Sequence, residues 1–241
     1  MTMLPRFFVI LTILSALAFT FGLACGGDDD DDDDDVSDDD DADDDTSDDD
    51  TADDDTADDD DDDDSSTKDG CALTMPETGN LVADPSFENP DAGANWVTYT
   101  AGKMLGAWES TGDGVDHMGT VMQAGEGDQC VDLNNLNQGG LKQTLTTEAG
   151  QAYALEFCYA GNPSYGTSQG VKETEIFWGE TSLGVFKYDT TGDAPDDVAW
   201  VTISVDIPAS ATTGASTTLS FVSKTGTPYG PAIDAVVVTA K

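Results

Sequence analysis

Leu141-Lys-Gln-Thr-Leu145 and Tyr153-Ala-Leu-Glu-Phe157, separated by the turn-rich Thr146-Thr-Glu-Ala-Gly-Gln151, carry the fold of this chain. In both stretches the large apolar side chains fall on one parity, Leu141 and Leu145 in the first and Tyr153, Leu155 and Phe157 in the second, the period of a strand with one buried face. The connection between them is of the kind expected between antiparallel neighbours. The same texture continues in Cys130-Val-Asp-Leu133, Glu175-Ile-Phe-Trp178, Trp200-Val-Thr-Ile-Ser-Val205, Thr218-Leu-Ser-Phe221 and Ile233-Asp-Ala-Val-Val-Val238, with Gly, Asn, Asp and Pro clusters between them. No window sustains a helical period past two turns. Residues 70–241 amount to one domain, and the fold they predict is all-β, a sandwich of two antiparallel sheets.

Upstream the chain changes character. It holds 241 residues with 50 acidic side chains against 8 basic ones, a formal charge of −42. Residues 28–64 contain 28 of those acids and no other charge, so 7 bases against 22 acids leave −15 for residues 65–241 once Arg6 is set aside. The tract has one aliphatic residue larger than Ala, Val36, and no aromatic, so it buries too little to offset chain entropy. Like charges repel over the ~8 Å screening length of physiological salt, which predicts an extended, disordered polyaspartate linker spanning residues 25–69. At full extension it reaches about 130 Å. The reading is a solvated stalk; a loose divalent-cation sponge is the alternative, and the glycine turn of a calcium-binding loop is missing. With so few Lys and Arg no phosphate-tracking patch can form, which excludes nucleic acid as a partner. A single His excludes any multi-His metal site and most histidine-based catalysis.

Residues 1–24 read as a signal peptide. Met1–Arg6 is short and positive, Phe7–Leu23 is apolar and uncharged, and small residues at Gly22 and Ala24 suit cleavage before Cys25. Cys25, followed by Gly26, resembles the lipidated cysteine of bacterial lipoproteins, although Gly22 stands where that motif usually has Leu. Lipidation at Cys25 implies a membrane anchor and an outer-membrane or cell-surface location. Ordinary cleavage after Ala24 fits the same pattern and implies a secreted or periplasmic protein.

The order of motifs in the domain resembles the domain of unknown function 642 family, known from plant cell walls and from bacterial surface proteins of the choice-of-anchor type. Asn80-Leu-Val-Ala-Asp-Pro-Ser-Phe-Glu88 is similar to the family's opening, Gln129-Cys-Val-Asp-Leu-Asn134 to its Val-Asp-Leu strand, and Gly230-Pro-Ala-Ile-Asp-Ala-Val236 to its closing motif. Gly140-Leu-Lys-Gln-Thr-Leu145, Tyr153–Phe157 and Leu219-Ser-Phe-Val-Ser223 fall between in the same order. Ala83-Asp-Pro85 departs from the usual Asn-Gly turn, and Cys130 and Cys158 are additions. The resemblance implies a galactose-binding-like jelly roll, a superfamily dominated by glycan-binding modules, and leaves the ligand open. It also implies one structural Ca2+ where the first and last strands meet, with Glu88 and Asp234 as ligands and Asp84 or Asp132 completing the shell. The alternative for Glu88 and Asp234 is that they accept backbone N–H bonds and close the sheet edge.

Beyond Cys25 three cysteines remain, and an oxidising compartment predicts one disulfide with one thiol left over. Cys130 and Cys158 each lie off the apolar face of their strands, which favours Cys130–Cys158 over the two pairings that use Cys71. Gly166-Thr-Ser-Gln-Gly170 matches the hydrolase nucleophile pattern, but the only His, His117, lies upstream and no helix follows. The domain is therefore read as non-enzymatic. Sugars present apolar C–H faces ringed by hydroxyls, so aromatics in polar, glycine-rich segments are the candidate contacts: Tyr165, Tyr229, Trp96 and His117, with Tyr99 and Trp108 behind them. Phe87, Phe157, Phe177, Trp200 and Phe221 lie in strand-like runs and are assigned to the core. The expected function is non-catalytic binding of a polysaccharide or cell-wall glycan at the bacterial envelope. The alternative is a structural or protein-interaction domain without glycan binding.

Overall fold

Alternation of buried and exposed side chains along the strands closes this domain into two sheets facing one another. The computed structural model describes residues 70–166 and 169–241, with Tyr165 described by its backbone alone. One sheet has the order β1 (Trp96–Tyr99), β4 (Val115–Met118), β5 (Cys130–Asp132), β12 (Pro231–Ala240), β7 (Tyr153–Gly161) and β10 (Val201–Ile207). The other has the order β2 (Met104–Leu105), β3 (Trp108–Gly112), β6 (Gly139–Thr146), β11 (Ser216–Ser223), β8 (Val171–Trp178) and β9 (Thr181–Asp189). Every pairing among these strands is antiparallel. The all-β sandwich expected from the sequence is the architecture observed.

The core lies between the sheets. Phe157 of β7 meets Phe221 of β11 at 5.2 Å between ring centroids, Tyr153 meets Trp178 at 5.4 Å, and Trp108 packs edge-on against Phe221 at 6.0 Å. Each such pair adds about 0.5–1.5 kcal/mol to the area it buries. Phe177 is an exception to the expected core, because Ile176 and Trp178 take the inward positions of β8 and leave it half-buried on the outer face. The expected hairpin also needs correction. β6 pairs with β3 and β11 whereas β7 pairs with β12 and β10, so Thr146–Gln151 carries the chain from one sheet to the other. The apolar faces of Leu141–Leu145 and Tyr153–Phe157 oppose one another across the core instead of sharing a sheet.

β12 is buried along nearly its whole length and is clasped by the chain that enters the domain. Leu81 N–H donates to Val238 O, Val236 N–H to Pro85 O, and the Asn80 side chain bonds both Val236 O and Val238 N–H. These contacts span a bulge between Asp234 and Val237, where Ala235 has φ +47°. Asp234 takes three amides, from Gly125 and Glu126 on one oxygen and Ala235 on the other. Burial pushes its carboxyl well above the usual carboxylate range.

The disulfide joins Cys71 to Cys158, with a Cα–Cα distance of 5.7 Å, and Cys130 is a buried free thiol. The Cys130–Cys158 pairing fails because β12 runs between β5 and β7. That separates the two cysteines by two strand spacings, roughly 9–10 Å, beyond disulfide reach. Cys71 reaches Cys158 by running over the outer face of the sheet, where its amide donates to Gly125 O. The bridge closes a long loop, with a sequence separation of 87. Cys71→Ser should lower stability by about 2–5 kcal/mol, whereas Cys130→Ser should leave the bridge intact. Non-reducing peptide mapping with denaturant melts of both variants checks this; a Cys130-containing crosslink contradicts it.

Candidate functional site

Register along β1 and β4 decides which side chains look outward. Trp96 pairs with Met118 and Thr98 with Asp116, and these four share the outer face of the sheet. Val97 and His117, one residue along, turn the other way. On that outer face lies a cavity of about 310 Å³. Trp96, Asp116 and Met118 supply its strand-borne wall, and loops supply the rest: Val121 and Met122 after β4, Asn135 and Leu136 after β5, Asn162 and Ser164 after β7, Pro195 after β9, and Pro228 and Tyr229 before β12. Trp96 is 54% exposed and Tyr229 is 37% exposed. The chain's other three tryptophans are buried with their indole N–H groups bonded, Trp108 to Asp84 O, Trp178 to Thr212 Oγ1 and Trp200 to Gln123 O.

One buried carboxylate shapes this cavity. Asp132, at the end of β5, receives the Asn134 and Gly230 amides on Oδ1, at 2.9 and 3.0 Å. Its Oδ2 receives Asn162 Nδ2 at 2.9 Å and Gly230 N–H at 3.2 Å. Asn134 extends the hub by donating to Thr225 O and Thr227 O, and Asn162 by accepting Ser164 N–H. Lys172 holds the Tyr229 carbonyl at 2.9 Å. Three lining loops thus hang from Asp132. Gly230 permits the approach, because a Cβ there would lie 2.6 Å from both Asp132 Oδ1 and Asn134 Cγ. Burial pushes the Asp132 carboxyl up to about 7 against the pull of its N–H donors, with Asp116 adding to the rise. Asp116 itself is raised, by burial first, with the Thr98 hydroxyl opposing.

Of the aromatic candidates, Trp96 and Tyr229 converge on the cavity. His117 does not: it stands opposite Val97 and Val131 on the inward parity of β4 and is fully buried. Its Nε2 lies 2.8 Å from Phe87 O, its ring packs edge-on near Tyr99, and burial lowers its pKa. It is a core histidine and not a loop residue facing a ligand. The backbone of Tyr165 belongs to the short turn Ser164–Gly166 beside the cavity, and its side chain lies outside the described residues. So do Cys25, the signal segment, the aspartate tract, and Thr167 and Ser168 of the nucleophile-like motif. Asp116, Asn135, Leu136 and Asn162 were missed as site residues; the exposed Leu136 inside Asn134-Asn-Leu-Asn137 is the signal that marks one of these loops.

Two of the carboxylates expected to hold calcium, Glu88 and Asp234, have amide partners. Glu88 Oε1 accepts the Asp128 and Gln129 amides and Oε2 accepts Gln129 Nε2. Asp234 takes the three amides given above, whereas Asp84 Oδ2 is buried with no hydrogen-bond partner. The Glu88 and Asp234 oxygens, aimed at N–H hydrogens, suit a backbone clasp. Among the described residues no group of three or more His, Cys, Asp or Glu side chains gathers as a metal site. Glu88 and Asp234 instead pin the segment 125–129 onto the sheet.

The fold is a β-sandwich of two antiparallel sheets with an aromatic-lined cavity on its outer face. Residues 80–239 match the family described as "Protein of unknown function (DUF642)", and the chain belongs to that family. No curated protein matches the chain by sequence. Among solved structures it is similar to the family 61 carbohydrate-binding module TmCBM61 in complex with β-1,4-galactotriose, at 16% identity and TM-score 0.41, covering 68% of this chain and 100% of that one. It is similar to a family 35 module from Clostridium thermocellum, at 17% identity and TM-score 0.40, covering 60% and 98%. The CBM22-1 xylan-binding domain of Paenibacillus barcinonensis Xyn10C is similar at 13% identity and TM-score 0.43, covering 68% and 97%.

The Asp132 hub has a pH signature. Its folded pKa lies above the ordinary 3.8, so the stability gained from the protonated form is present below about pH 4 and is lost as pH climbs through about 7. Asp132→Asn removes that titration. Its stability relative to the wild type should improve by up to about 1.4 kcal/mol per pH unit between roughly pH 5 and 7. Asp132→Ala, which leaves buried donors unmatched, should cost about 2–4 kcal/mol. Denaturant melts across pH read both; a wild-type-to-Asn difference that stays flat with pH contradicts the assignment.

Proposed function

We propose that the chain is a non-catalytic polysaccharide-binding module, and that its ligand sits in the cavity between Trp96 and Tyr229. The observation that carries this reading is the pairing of two exposed aromatic rings with a short set of polar groups, Asp116, Asn135 and Asn162, around one concave site. Sugar recognition calls for that combination: a platform for C–H faces and fixed partners for hydroxyls. Glycoside hydrolysis needs two working carboxyl groups. The carboxylate next to Asp116 is Asp132, and its oxygens are taken up by the N–H groups of Asn134, Asn162 and Gly230. A binding role therefore fits the site and a hydrolytic one does not.

The leader and Cys25 support export and lipid anchoring at a bacterial envelope, with the aspartate tract as a repulsive stalk that holds the sandwich off the membrane. Loss of the acyl anchor would leave the same module secreted or periplasmic.

A glycan and polysaccharide array probed with the wild type, Trp96→Ala and Tyr229→Ala tests the proposal. Binding to a defined polymer is expected, and each variant should weaken it at least about tenfold, the usual scale for an aromatic at the centre of a site. Binding that survives both substitutions would place the ligand elsewhere. A blank array with folded protein would favour a protein partner for the exposed Trp96 and Leu136.

A further inference from the structure

We infer that this cavity takes neutral sugar units and rejects uronate-bearing glycans, with Asp116 as the discriminating residue; the inference rests on the glycan-binding reading above. Among the described residues that line the cavity, Asp116 alone carries a formal charge, and no Lys, Arg or His is among them. Lys172 is buried and bonds the Tyr229 carbonyl. One Asp116 oxygen accepts the Thr98 hydroxyl at 2.5 Å. An ionised carboxylate offers about four acceptor positions, so Asp116 retains acceptor capacity within the site.

Asp132 is the cross-strand partner of Asp116 and adds to the negative potential there to the extent that it is ionised. A sugar hydroxyl donates to such a carboxylate and strengthens with its charge. A sugar carboxylate has no proton to donate and meets like charge in a partly dewatered site, where repulsion is several times stronger than in bulk water. The apolar share of the lining, led by Trp96, Met118 and Leu136, suits the C–H face of a neutral pyranose and offers an anion nothing. The net −15 of residues 65–241 acts in the same direction at longer range.

The test compares β-1,4-galactan, β-1,4-glucan and β-1,4-mannan, each in its native form and oxidised at C6 to the uronate. They are titrated into the full chain and its Asp116→Asn variant at about 0.15 M salt, where screening limits long-range effects. The aspartate tract is common to both proteins, so its repulsion cancels from the comparison. For a polymer that binds, the oxidised form should bind the wild type at least about tenfold more weakly than the native form. That ratio should narrow in Asp116→Asn. A wild type that holds the oxidised form as tightly as the native one overturns the selectivity while leaving glycan binding in place. A ratio unchanged in Asp116→Asn overturns the assignment to Asp116. Folded protein that binds neither form of any of the three removes the glycan reading for hexose polymers, and this inference with it.

Discussion

Asp132 is a carboxylate with almost no access to water, and Asn134, Asn162 and Gly230 bring N–H groups to it from three separate loops. These loops are far apart in sequence and meet because they flank the neighbouring strands β5, β12 and β7. Because an unmatched buried acceptor is costly, the same interaction that satisfies Asp132 fixes the positions of Asn135, Ser164 and Tyr229, which carry the cavity wall. The site is thus a consequence of a desolvation constraint at the end of one strand. Its geometry holds as long as that carboxylate keeps its donors.

Two residues along β12 from the partner of Asp132, the same device recurs. Asp234 and Glu88 gather the amides of residues 125–129 and hold that segment over Cys130 and Cys158, while Asn80 and Leu81 bind the bulged β12. Acidic side chains here act as acceptors for backbone amides, and so the outer face of the sheet is roofed by loops instead of being left open to water. The Cys71–Cys158 bridge ties the entering chain to that roofed face. Roofing leaves the edge strands β1 and β10 uncovered, and on β1 Trp96 stands in solvent.

Much of the fold was legible because strand parity is a local property. Leu141 and Leu145, and Tyr153, Leu155 and Phe157, announce their buried faces within a few residues. Neighbour identity is not local. Parity placed Cys130 and Cys158 off the apolar face, as they are, but could not reveal β12 between them, nor that Thr146–Gln151 joins two sheets. His117 was misread because it follows Asp113-Gly-Val-Asp116, which looks like a loop; the alternation of Val115 and His117 against Asp116 was the better guide. Trp96 and Tyr229 were legible as outward-facing because they are large aromatics in polar, glycine-rich segments, and both line the cavity. Asp116 and Asn162 escaped notice because acids and amides are common in this chain and only assembly in space singles them out.

The proposed binding role rests on the aromatic cavity. Its central claim is local: one ring among four tryptophans meets the ligand. Indole N–H resonances of 15N-labelled protein, followed while a polysaccharide fragment is titrated in, test this directly, since the chain's tryptophans are Trp96, Trp108, Trp178 and Trp200. The account predicts that the Trp96 signal moves, while Trp108, Trp178 and Trp200, bonded inside the domain, stay in place. Saturable binding that leaves the Trp96 signal still, or shifts a buried indole in its place, would contradict it.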